Sequence, residues 1–289
     1  MTSRNSEPGS GDVLREPIGA MLVDAGKIRP EDGERVLRHA RDNGLRFGDA
    51  AVALGFVSAD DVADMLARQF RYPYLRLGES SVSPDVVAAW TPFTPSVEAL
   101  RSLRSQLLLR WFGGGERKSL AIVGPGRNEG RSHLAANLAV VFSQMGERTL
   151  LIDADLRNPR QHVLFGASNA TGLSAVLAGR SELDVIARIP GFVDLSILSA
   201  GAIPPNPLEL LGRDVFPDLI RDASARFDVV IVDTPAASLG ADAQLVAARC
   251  SGALMLVRKD HSLLDRCRDL ADALNASGVR LVGSVVNEG

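Results

Sequence analysis

The sequence LAIVGPGRNEGRS, at residues 120–132, decides the fold of this 289-residue chain. An apolar run, Leu120–Val123, leads into a loop with three glycines, and a helical pattern then continues to about Met145. A strand, a glycine-rich loop and a helix in this order form a P-loop, whose backbone N–H groups and helix N-terminus surround phosphate oxygens. The stretch therefore predicts a phosphate site at the start of an α/β domain.

Two residues of the loop depart from the common P-loop pattern. Pro125 stands where the first glycine is usual, and Arg131 stands where the pattern has lysine. Ser132 keeps the hydroxyl that ligates Mg²⁺ in such loops. Taken alone, the stretch is also compatible with an ordinary glycine-rich turn, so the phosphate interpretation depends on the rest of the chain.

Apolar runs recur downstream with helical patterns between them. Further strands are predicted at Thr149–Ile152, Leu195–Leu198, Val229–Val232, Ala253–Val257 and Leu281–Val286. Because Val, Ile and Leu dominate these runs, we expect a mostly parallel sheet with helices on both faces. The predicted fold class is thus α/β, a P-loop NTPase, with a small all-α domain in front of it.

Carboxylates follow two of the predicted strands. Asp153 and Asp155 come directly after Thr149–Ile152, and Asp233 follows Val229–Val232. Each aspartate alone is compatible with a turn or a helix cap. Since the carboxyl ends of parallel strands meet at one edge of a sheet, three such residues downstream of a P-loop predict a site for nucleotide and Mg²⁺.

The N-terminal region, residues 14–70, has apolar positions at helical spacing and contains an internal repeat. Gly19 matches Gly48 and Gly26 matches Gly55, each pair 29 residues apart. Each copy has the pattern of a helix, a glycine turn and a second helix. Two such copies are expected to pack on each other as one small all-α domain.

Three further segments complete the predicted domain organisation. Residues 1–13 are polar and aperiodic, which predicts a flexible leader. Prolines recur between residues 71 and 95, which predicts a linker, and the P-loop domain is expected to span residues 96–289. Within it, an amphipathic helix is predicted from Ser96 to about Phe112.

Composition limits the class of partner and the compartment. The formal charge of −3 gives no reason to expect a nucleic acid as partner. Two cysteines in the whole chain suggest a reducing compartment and no disulfide framework. The first residues lack the apolar core of a signal peptide, and no apolar run is long enough to span a bilayer. We therefore expect a cytoplasmic protein that reaches a membrane only through a partner.

Several motifs resemble those of the bacterial tyrosine kinases of polysaccharide synthesis, over about residues 96–289. The matching stretches are Glu98-x-x-Arg101-x-x-Arg104, LLIDADLRNPR (150–160), PPNPLELL (204–211), VVIVDTPA (229–236) and the closing GSVVN (283–287). The chain is most similar to the soluble, EpsG-type subgroup, which accompanies a separate membrane chain-length determinant protein. The resemblance implies an ATP- and Mg²⁺-dependent protein-tyrosine kinase that regulates exopolysaccharide chain length or export, peripheral to the inner membrane through that partner.

The resemblance also implies roles for individual residues. The nucleotide-binding set is Gly126, Glu129, Gly130, Arg131, Ser132, His133 and Asn287, with Asn287 reading the adenine edge. The metal set is Ser132, Asp153 and Asp233. In catalysis, Asp153 would be the base, Asp155 its orienting neighbour and Arg131 the cationic contact to the phosphates. Glu98, Arg101 and Arg104 would join copies of the chain into a homo-oligomer.

The resemblance breaks down at the C-terminus. Family members that phosphorylate themselves carry a tyrosine cluster there, whereas the last tyrosine here is Tyr74. We therefore expect no such self-phosphorylation and, with Arg131 in the lysine position, weak activity. Two alternatives remain open: a non-catalytic nucleotide-dependent adaptor in the same machine, and a positioning ATPase of the MinD/ParA kind. The latter usually has an extra lysine early in the P-loop, and residues 124–131 contain none.

The second copy of the N-terminal repeat resembles the small front domain (MshEN-like) of type II secretion and pilus ATPases. In some of those domains, positions matching Arg46, Gly48 and Gln69 bind cyclic di-GMP. The first copy departs from the pattern, with Pro17 opposite Arg46 and Ala40 opposite Gln69. A docking domain without a ligand is therefore the alternative to a cyclic di-GMP sensor.

Overall fold

The computed structural model of the chain describes residues 17–69, 73–75, 80–115, 118–250 and 252–288. The predicted leader, residues 1–13, lies outside these ranges. The chain divides into two compact units, one ending at Pro73 and the other beginning at Tyr74. No helix in the described ranges is both long enough and apolar enough to cross a bilayer.

The small unit consists of four helices around one apolar core. They are α1 (Ile18–Asp24), α2 (Pro30–Asn43), α3 (Phe47–Ala53) and α4 (Ala59–Gln69). Both α1 and α3 have seven residues, and each is followed by a glycine of positive φ, Gly26 at 67° and Gly55 at 71°. The repeat seen in the sequence is therefore also a repeat of structure. Its core is formed by Leu22, Ile28, Val36, Ala40, Ala50, Ala51, Val57 and Met65.

Matched glycines allow the helices of the small unit to approach closely. A Cβ on Gly48 would lie 2.7 Å from Cγ1 of Val62, and one on Gly19 would lie 3.1 Å from the ring of Phe47. Contacts shorter than van der Waals distance would force the helices apart. The two glycines therefore have a packing reason for their presence.

The large unit is built on a seven-stranded sheet with helices on both faces. Its strands are β1 (Ser119–Val123), β2 (Thr149–Asp153), β3 (Ala187–Arg188), β4 (Leu195–Leu198), β5 (Val229–Asp233), β6 (Gly252–Arg258) and β7 (Arg280–Asn287). Its helices are α5 (Val87–Trp90), α6 (Pro95–Arg110), α7 (Arg131–Ser143), α8 (Gln161–Phe165), α9 (Leu173–Leu177), α10 (Pro207–Leu211), α11 (Val215–Arg226), α12 (Asp242–Cys250) and α13 (Leu264–Ala276).

The strand order is β3-β4-β2-β5-β1-β6-β7, and every pair is parallel except β3 with β4. Alternate residues of β1 face two separate apolar layers, Leu120 and Ile122 in one, Ala121 and Val123 in the other. This double burial explains the unbroken apolar runs in the sequence. The predicted α/β fold class is confirmed, and the two-residue β3 is the strand that was not predicted.

The linker predicted for residues 71–95 is wrong for much of its described part. Leu75, Val82, Val86, Ala88 and Ala89 are buried in the core of the large unit. Prolines in this segment end helices early, but the apolar residues between them still cover part of the sheet.

Helix α7 also holds this segment through two buried side chains. The backbone N–H of Ala88 donates to Oδ1 of Asn137, and Nε2 of Gln144 donates to the Ala88 carbonyl, each at 2.9 Å. The segment around α5 is therefore part of the large domain and supports the helix that begins at the P-loop.

A capping box begins α4 in the small unit. Ser58 Oγ accepts a hydrogen bond from the Asp61 amide at 3.1 Å, and Asp61 Oδ2 accepts one from the Ser58 amide at 3.0 Å. Asp61 Oδ1 also lies 2.7 Å from Nζ of Lys27. Lys27 and the hydrogen bonds from Ser58 lower the pKa of Asp61 to about 2.

We predict that Asp61→Ala destabilises the small unit by about 1 kcal/mol at pH 7, because α4 loses the carboxylate half of its capping box together with the ion pair to Lys27. A carboxylate with a lowered pKa stabilises the folded state above its unfolded pKa, and that contribution is lost as the pH falls through the folded pKa. The difference should therefore shrink as the pH falls from about 4 toward 2. Urea unfolding of the full chain, followed by amide exchange in α4, measures it.

Asp60→Ala is the matched control, since Asp60 lies in the same first turn of α4. An equal loss for both variants at every pH would mean that helix-dipole charge, rather than the cap, stabilises α4.

Candidate nucleotide site at the carboxyl edge of the sheet

The P-loop and the predicted carboxylates meet at one edge of the sheet because β2, β5 and β1 are neighbours. In the register of β2 with β5, Asp153 stands opposite Asp233. An open cleft of about 1440 Å³ lies at this edge, lined by the P-loop, the start of α7, Asp155, the inner side of α6 and the end of β7. The sheet topology therefore brings together residues that are far apart in sequence, such as Glu129 and Asn287, which are separated by 158 positions.

Three glycines of the P-loop stand where side chains do not fit. A Cβ on Gly124 would lie 2.6 Å from Oε2 of Glu129, and one on Gly126 would lie 2.9 Å from Oε1. Gly130 has a φ of 100°, and its Cβ would lie 2.8 Å from Nδ2 of Asn287. The loop thus folds tightly around the Glu129 side chain and against the end of β7.

Three successive carbonyls of the loop are held from one side. Arg258 donates to the Asn128 carbonyl at 3.2 Å, and Asn287 Nδ2 donates to the Glu129 carbonyl at 2.9 Å. His261 Nε2 lies 3.2 Å from the Arg127 carbonyl. Because the N–H of a trans peptide points away from its C=O, the amides of residues 128–130 face the opposite side of the loop. Aligned amides of this kind form the cradle that a phosphate requires.

Arg131 does not extend freely from the loop. Its guanidinium donates to the Gly126 carbonyl, to the Thr234 carbonyl at 3.2 Å and to Oε2 of Glu129 at 3.3 Å. Both side chains of the ion pair are buried, and Oε1 of Glu129 accepts a bond from Ser262 Oγ at 2.6 Å. The positive charge predicted for the phosphates is therefore compensated within the loop by a carboxylate that the sequence analysis had not paired with it.

The two aspartates at the strand ends are fully buried. Oδ2 of Asp153 accepts hydrogen bonds from the amides of Arg160 and Gln161 at 3.0 and 2.9 Å, and Oδ1 accepts one from the Asp155 amide at 3.2 Å. Burial and the nearby Asp233 raise the pKa of Asp153 well above its ordinary value. Burial also raises the pKa of Asp233 to about 6, against the hydrogen bond that Gln161 donates to it.

Asp155 lies nearer the surface than Asp153 and lines the cleft. Its Oδ1 accepts hydrogen bonds from the amides of Arg157 and Asn158 at 3.1 and 2.8 Å. The Arg157 guanidinium makes two bonds to the buried Asp242, at 3.0 and 3.1 Å. This ion pair joins the loop after β2 to the start of α12, and the sequence analysis did not identify it.

Gln161 is a second residue that the sequence analysis missed. Its side chain is fully buried, and Nε2 donates to Oδ2 of Asp233 at 2.8 Å and to the Ser132 carbonyl at 3.0 Å. A polar residue at the start of a short helix gives no sign of this role in the sequence. Its short distance in sequence from Asp153 and Asp155 would have indicated this role only if the loop after β2 had been known to fold back onto the site.

The remaining predicted residues fall into three places. His133 and Asn287 line the cleft, and His133 Nε2 lies 3.6 Å from Oδ2 of Asp85. On α6, Arg101 pairs with Glu98 at 3.0 Å, while Arg104 donates to the Val141 carbonyl of the same chain at 2.7 Å.

The candidate cyclic di-GMP residues all belong to the small unit. Arg46 is exposed and precedes α3, Gly48 is buried in α3, and Gln69 is the last residue of α4. These placements leave their predicted roles as proposals.

The residues at the edge fit a nucleotide with Mg²⁺. Among the described residues, no hydrogen-bond donor pairs with the buried Oδ1 of Asp233. A buried carboxylate oxygen without a donor is costly unless a cation or its water binds there. The glycine cradle, the Ser132 hydroxyl and this oxygen together supply the ligand types that such a complex needs.

No protein-family model matches the chain, but tyrosine-protein kinases are among the proteins of similar sequence. The chain is 34% identical over 210 residues to tyrosine-protein kinase YwqD of Bacillus subtilis, covering 72% of this chain and 87% of that protein. It is 33% identical over 203 residues to tyrosine-protein kinase wzc of Salmonella typhi, covering 70% of this chain and 28% of that protein. The chain thus spans most of one relative and under a third of the other.

Solved structures similar to the chain also include a tyrosine-kinase domain. The kinase domain of Escherichia coli tyrosine kinase ETK has a TM-score of 0.68 and 33% identity, covering 74% of this chain and 84% of that one. The Mg-ADP complex of septum site-determining protein MinD from Pyrococcus horikoshii has a TM-score of 0.52 and 24% identity, covering 59% of this chain and 70% of that one. The second likeness concerns the fold alone.

We predict that Gly130→Ala weakens binding of ADP with Mg²⁺ by about tenfold or more, since a residue forced to positive φ costs about 1–3 kcal/mol. The added methyl group would also press on Asn287. Calorimetric titration measures the affinity. Gly114→Ala is the control, because a Cβ at Gly114 meets no atom within 4 Å. Equal affinities for the two variants would contradict a nucleotide cradle at Gly130.

Proposed function

The chain belongs to the family of bacterial tyrosine-protein kinases, and we propose that it is an ATP-binding, tyrosine-kinase-like regulator of exopolysaccharide chain length and export. The observation that carries the proposal is the pairing of β2 with β5, which sets buried Asp153 opposite Asp233 beside a P-loop. A phosphate cradle next to paired carboxylates at the carboxyl ends of parallel strands supports phosphoryl transfer from a nucleotide.

The residues divide the work of transfer between them. The amides of residues 128–130 hold the phosphates, and Ser132 and Asp233 hold the Mg²⁺, which supplies charge stabilisation to the phosphoryl group when bound. Asp153, fixed by three backbone amides, remains on the metal side. Asp155 lines the cleft and is therefore the carboxylate with direct access to an acceptor hydroxyl. We accordingly assign the orientation and deprotonation of that hydroxyl to the Asp153–Asp155 pair rather than to Asp153 alone.

One observation favours the second candidate function, a non-catalytic adaptor that binds nucleotide. The Arg131 guanidinium is paired with the buried carboxylate of Glu129. A planar guanidinium already held by a carboxylate and two carbonyls presents less charge to a transferring phosphoryl group than a free ammonium would. Slow catalysis is the outcome we propose, because the loss of one charge contact in a transition state costs about 3 kcal/mol, or about two orders of magnitude in rate.

A membrane partner belongs to the same proposal. We propose that a separate membrane-embedded chain-length determinant protein recruits this chain to the inner membrane, and that the small unit serves docking. Arg46 and Gln69 would carry cyclic di-GMP if the small unit also binds a ligand. A MinD-like positioning role is the less favoured alternative, since the extra lysine that such ATPases usually have early in the P-loop is absent from residues 124–131.

Substitutions at Arg131 and at the aspartates test the enzyme against the adaptor. We expect Arg131→Ala to lose both ATP binding and turnover, while Arg131→Lys keeps binding and equals or exceeds the parent rate. Asp153→Asn should lower single-turnover hydrolysis about 100-fold or more, and Asp155→Asn should lower transfer to a tyrosine peptide more than it lowers binding. The assay includes the cytoplasmic segment of the membrane partner.

Two results would count against the kinase. ATP·Mg²⁺ binding without hydrolysis or transfer, even with the partner segment present, would establish the adaptor. An unchanged rate in Asp153→Asn would mean that the activity comes from elsewhere.

The proposal also includes self-association through α6. The Glu98 side chain is 67% exposed, whereas its partner Arg101 is only 18% exposed, so a second copy would contact this pair through Glu98. We expect Arg101→Ala to lower the mass measured by light scattering with ATP and Mg²⁺. Arg110→Ala is the control, because Arg110 is the last residue of the same helix. Arg104 is left intact because it also donates to the Val141 carbonyl. A parent chain that is monomeric at high concentration would end this idea.

A further inference from the structure

The side chain of Gln161 lies at the centre of the carboxylate site without belonging to any motif identified in the sequence. It is fully buried between the end of β5, the start of α7 and the loop after β2. Its two side-chain hydrogen bonds reach the Asp233 carboxylate and the backbone carbonyl of Ser132, and both residues belong to the predicted metal set.

The orientation of the Gln161 amide follows from its partners. Both neighbours of Nε2, a carboxylate oxygen and a backbone carbonyl, are acceptors, so the NH₂ group must face them. Oε1 then has no donor among the described residues, and neither has Oδ1 of Asp233. Two buried acceptor oxygens therefore belong to residues that are joined by one hydrogen bond of 2.8 Å.

Unpaired acceptors of this kind call for a ligand that only donates. Waters bound to Mg²⁺ present their hydrogens outward, and Mg²⁺ in nucleotide sites keeps several of its waters. A phosphate or a second carboxylate would add acceptors where donors are needed. The chemistry of the two free oxygens therefore matches a hydrated cation better than an anion.

We propose that Gln161 is a positioning residue for the hydrated Mg²⁺ of the nucleotide site. Through its NH₂ group it holds one oxygen of Asp233 and so presents the other to a cation-bound water, and its own Oε1 accepts from a second such water. This proposal rests on the proposed function, since it requires that the site binds a nucleotide with Mg²⁺.

The structure allows the side chain of Gln161 to be tested separately from its backbone. The Gln161 amide N–H, which donates to Asp153, survives any substitution except proline. Gln161→Leu keeps a similar volume but removes both the donor and the acceptor. Gln144→Leu is the matched control. Gln144 is also buried and donates to a backbone carbonyl, that of Ala88, but it lies at the end of α7 that is remote from the P-loop.

The experiment is a titration of the full chain with ADP, in excess Mg²⁺ and in EDTA, by calorimetry. In Gln161→Leu we expect the gain in ADP affinity that Mg²⁺ provides to fall by about tenfold or more, the usual effect of losing an outer-shell partner. The affinity in EDTA should stay within about twofold of the parent, and Gln144→Leu should keep the full Mg²⁺ gain.

The outcomes separate the inference from the function on which it rests. If Mg²⁺ raises the ADP affinity of Gln161→Leu as much as it raises that of the parent, the inference is overturned. The Gln161 side chain then serves only packing, whatever the melting temperature of the variant. No Mg²⁺ gain in the parent chain means that the proposed function fails first. If Gln161→Leu melts too low to titrate, Gln161→Met, unbranched and of the same length, takes its place. The ratio of its ADP affinity in Mg²⁺ to that in EDTA is then compared with the ratio for the parent.

Discussion

The site depends on the parallel pairing of β2 with β5, which fixes two carboxylates opposite each other at the edge of the sheet. Two buried negative charges on neighbouring strands oppose folding. Burial accordingly raises the pKa of both carboxyl groups, and Asp233 adds to the rise at Asp153. Backbone amides compensate Asp153, and Gln161 compensates Asp233 only in part. The protein thus keeps a local shortage of positive charge where a cation of the nucleotide complex is proposed to bind.

The P-loop shows a different balance of charge. Glu129 and Arg131 neutralise each other inside the loop, and Ser262 and Asn287 hold the loop from the β6 and β7 side. A buried ion pair contributes little net stability but strongly disfavours the loss of either member. The arrangement therefore fixes the shape of the loop before any nucleotide is present, at the expense of free charge on Arg131. It also explains how arginine fits in the position where lysine is common.

The fold and part of the site could be predicted from the sequence because strand ends and glycine loops are local patterns. Val229–Val232 followed by Asp233 needs only a parallel sheet to reach the site. Gln161 and Asp242 could not be found in this way, since their roles arise from loops that fold back over many residues. The buried segment around Ala88 was missed for a related reason: its prolines mark helix ends but carry no information about burial. The ion pair of Arg131 was hidden because spacing within a loop does not show which way a side chain turns.

The repeat of the small unit has a consequence for its stability. Helix α2 packs on α3 and α1 packs on α4, so the main contacts run between the two copies rather than within one. A single copy would leave both of its apolar faces in water, and it could be stable only as a symmetric pair of separate chains. Residues 44–46 join the two copies in one chain, so their packing on each other does not depend on the concentration of the protein.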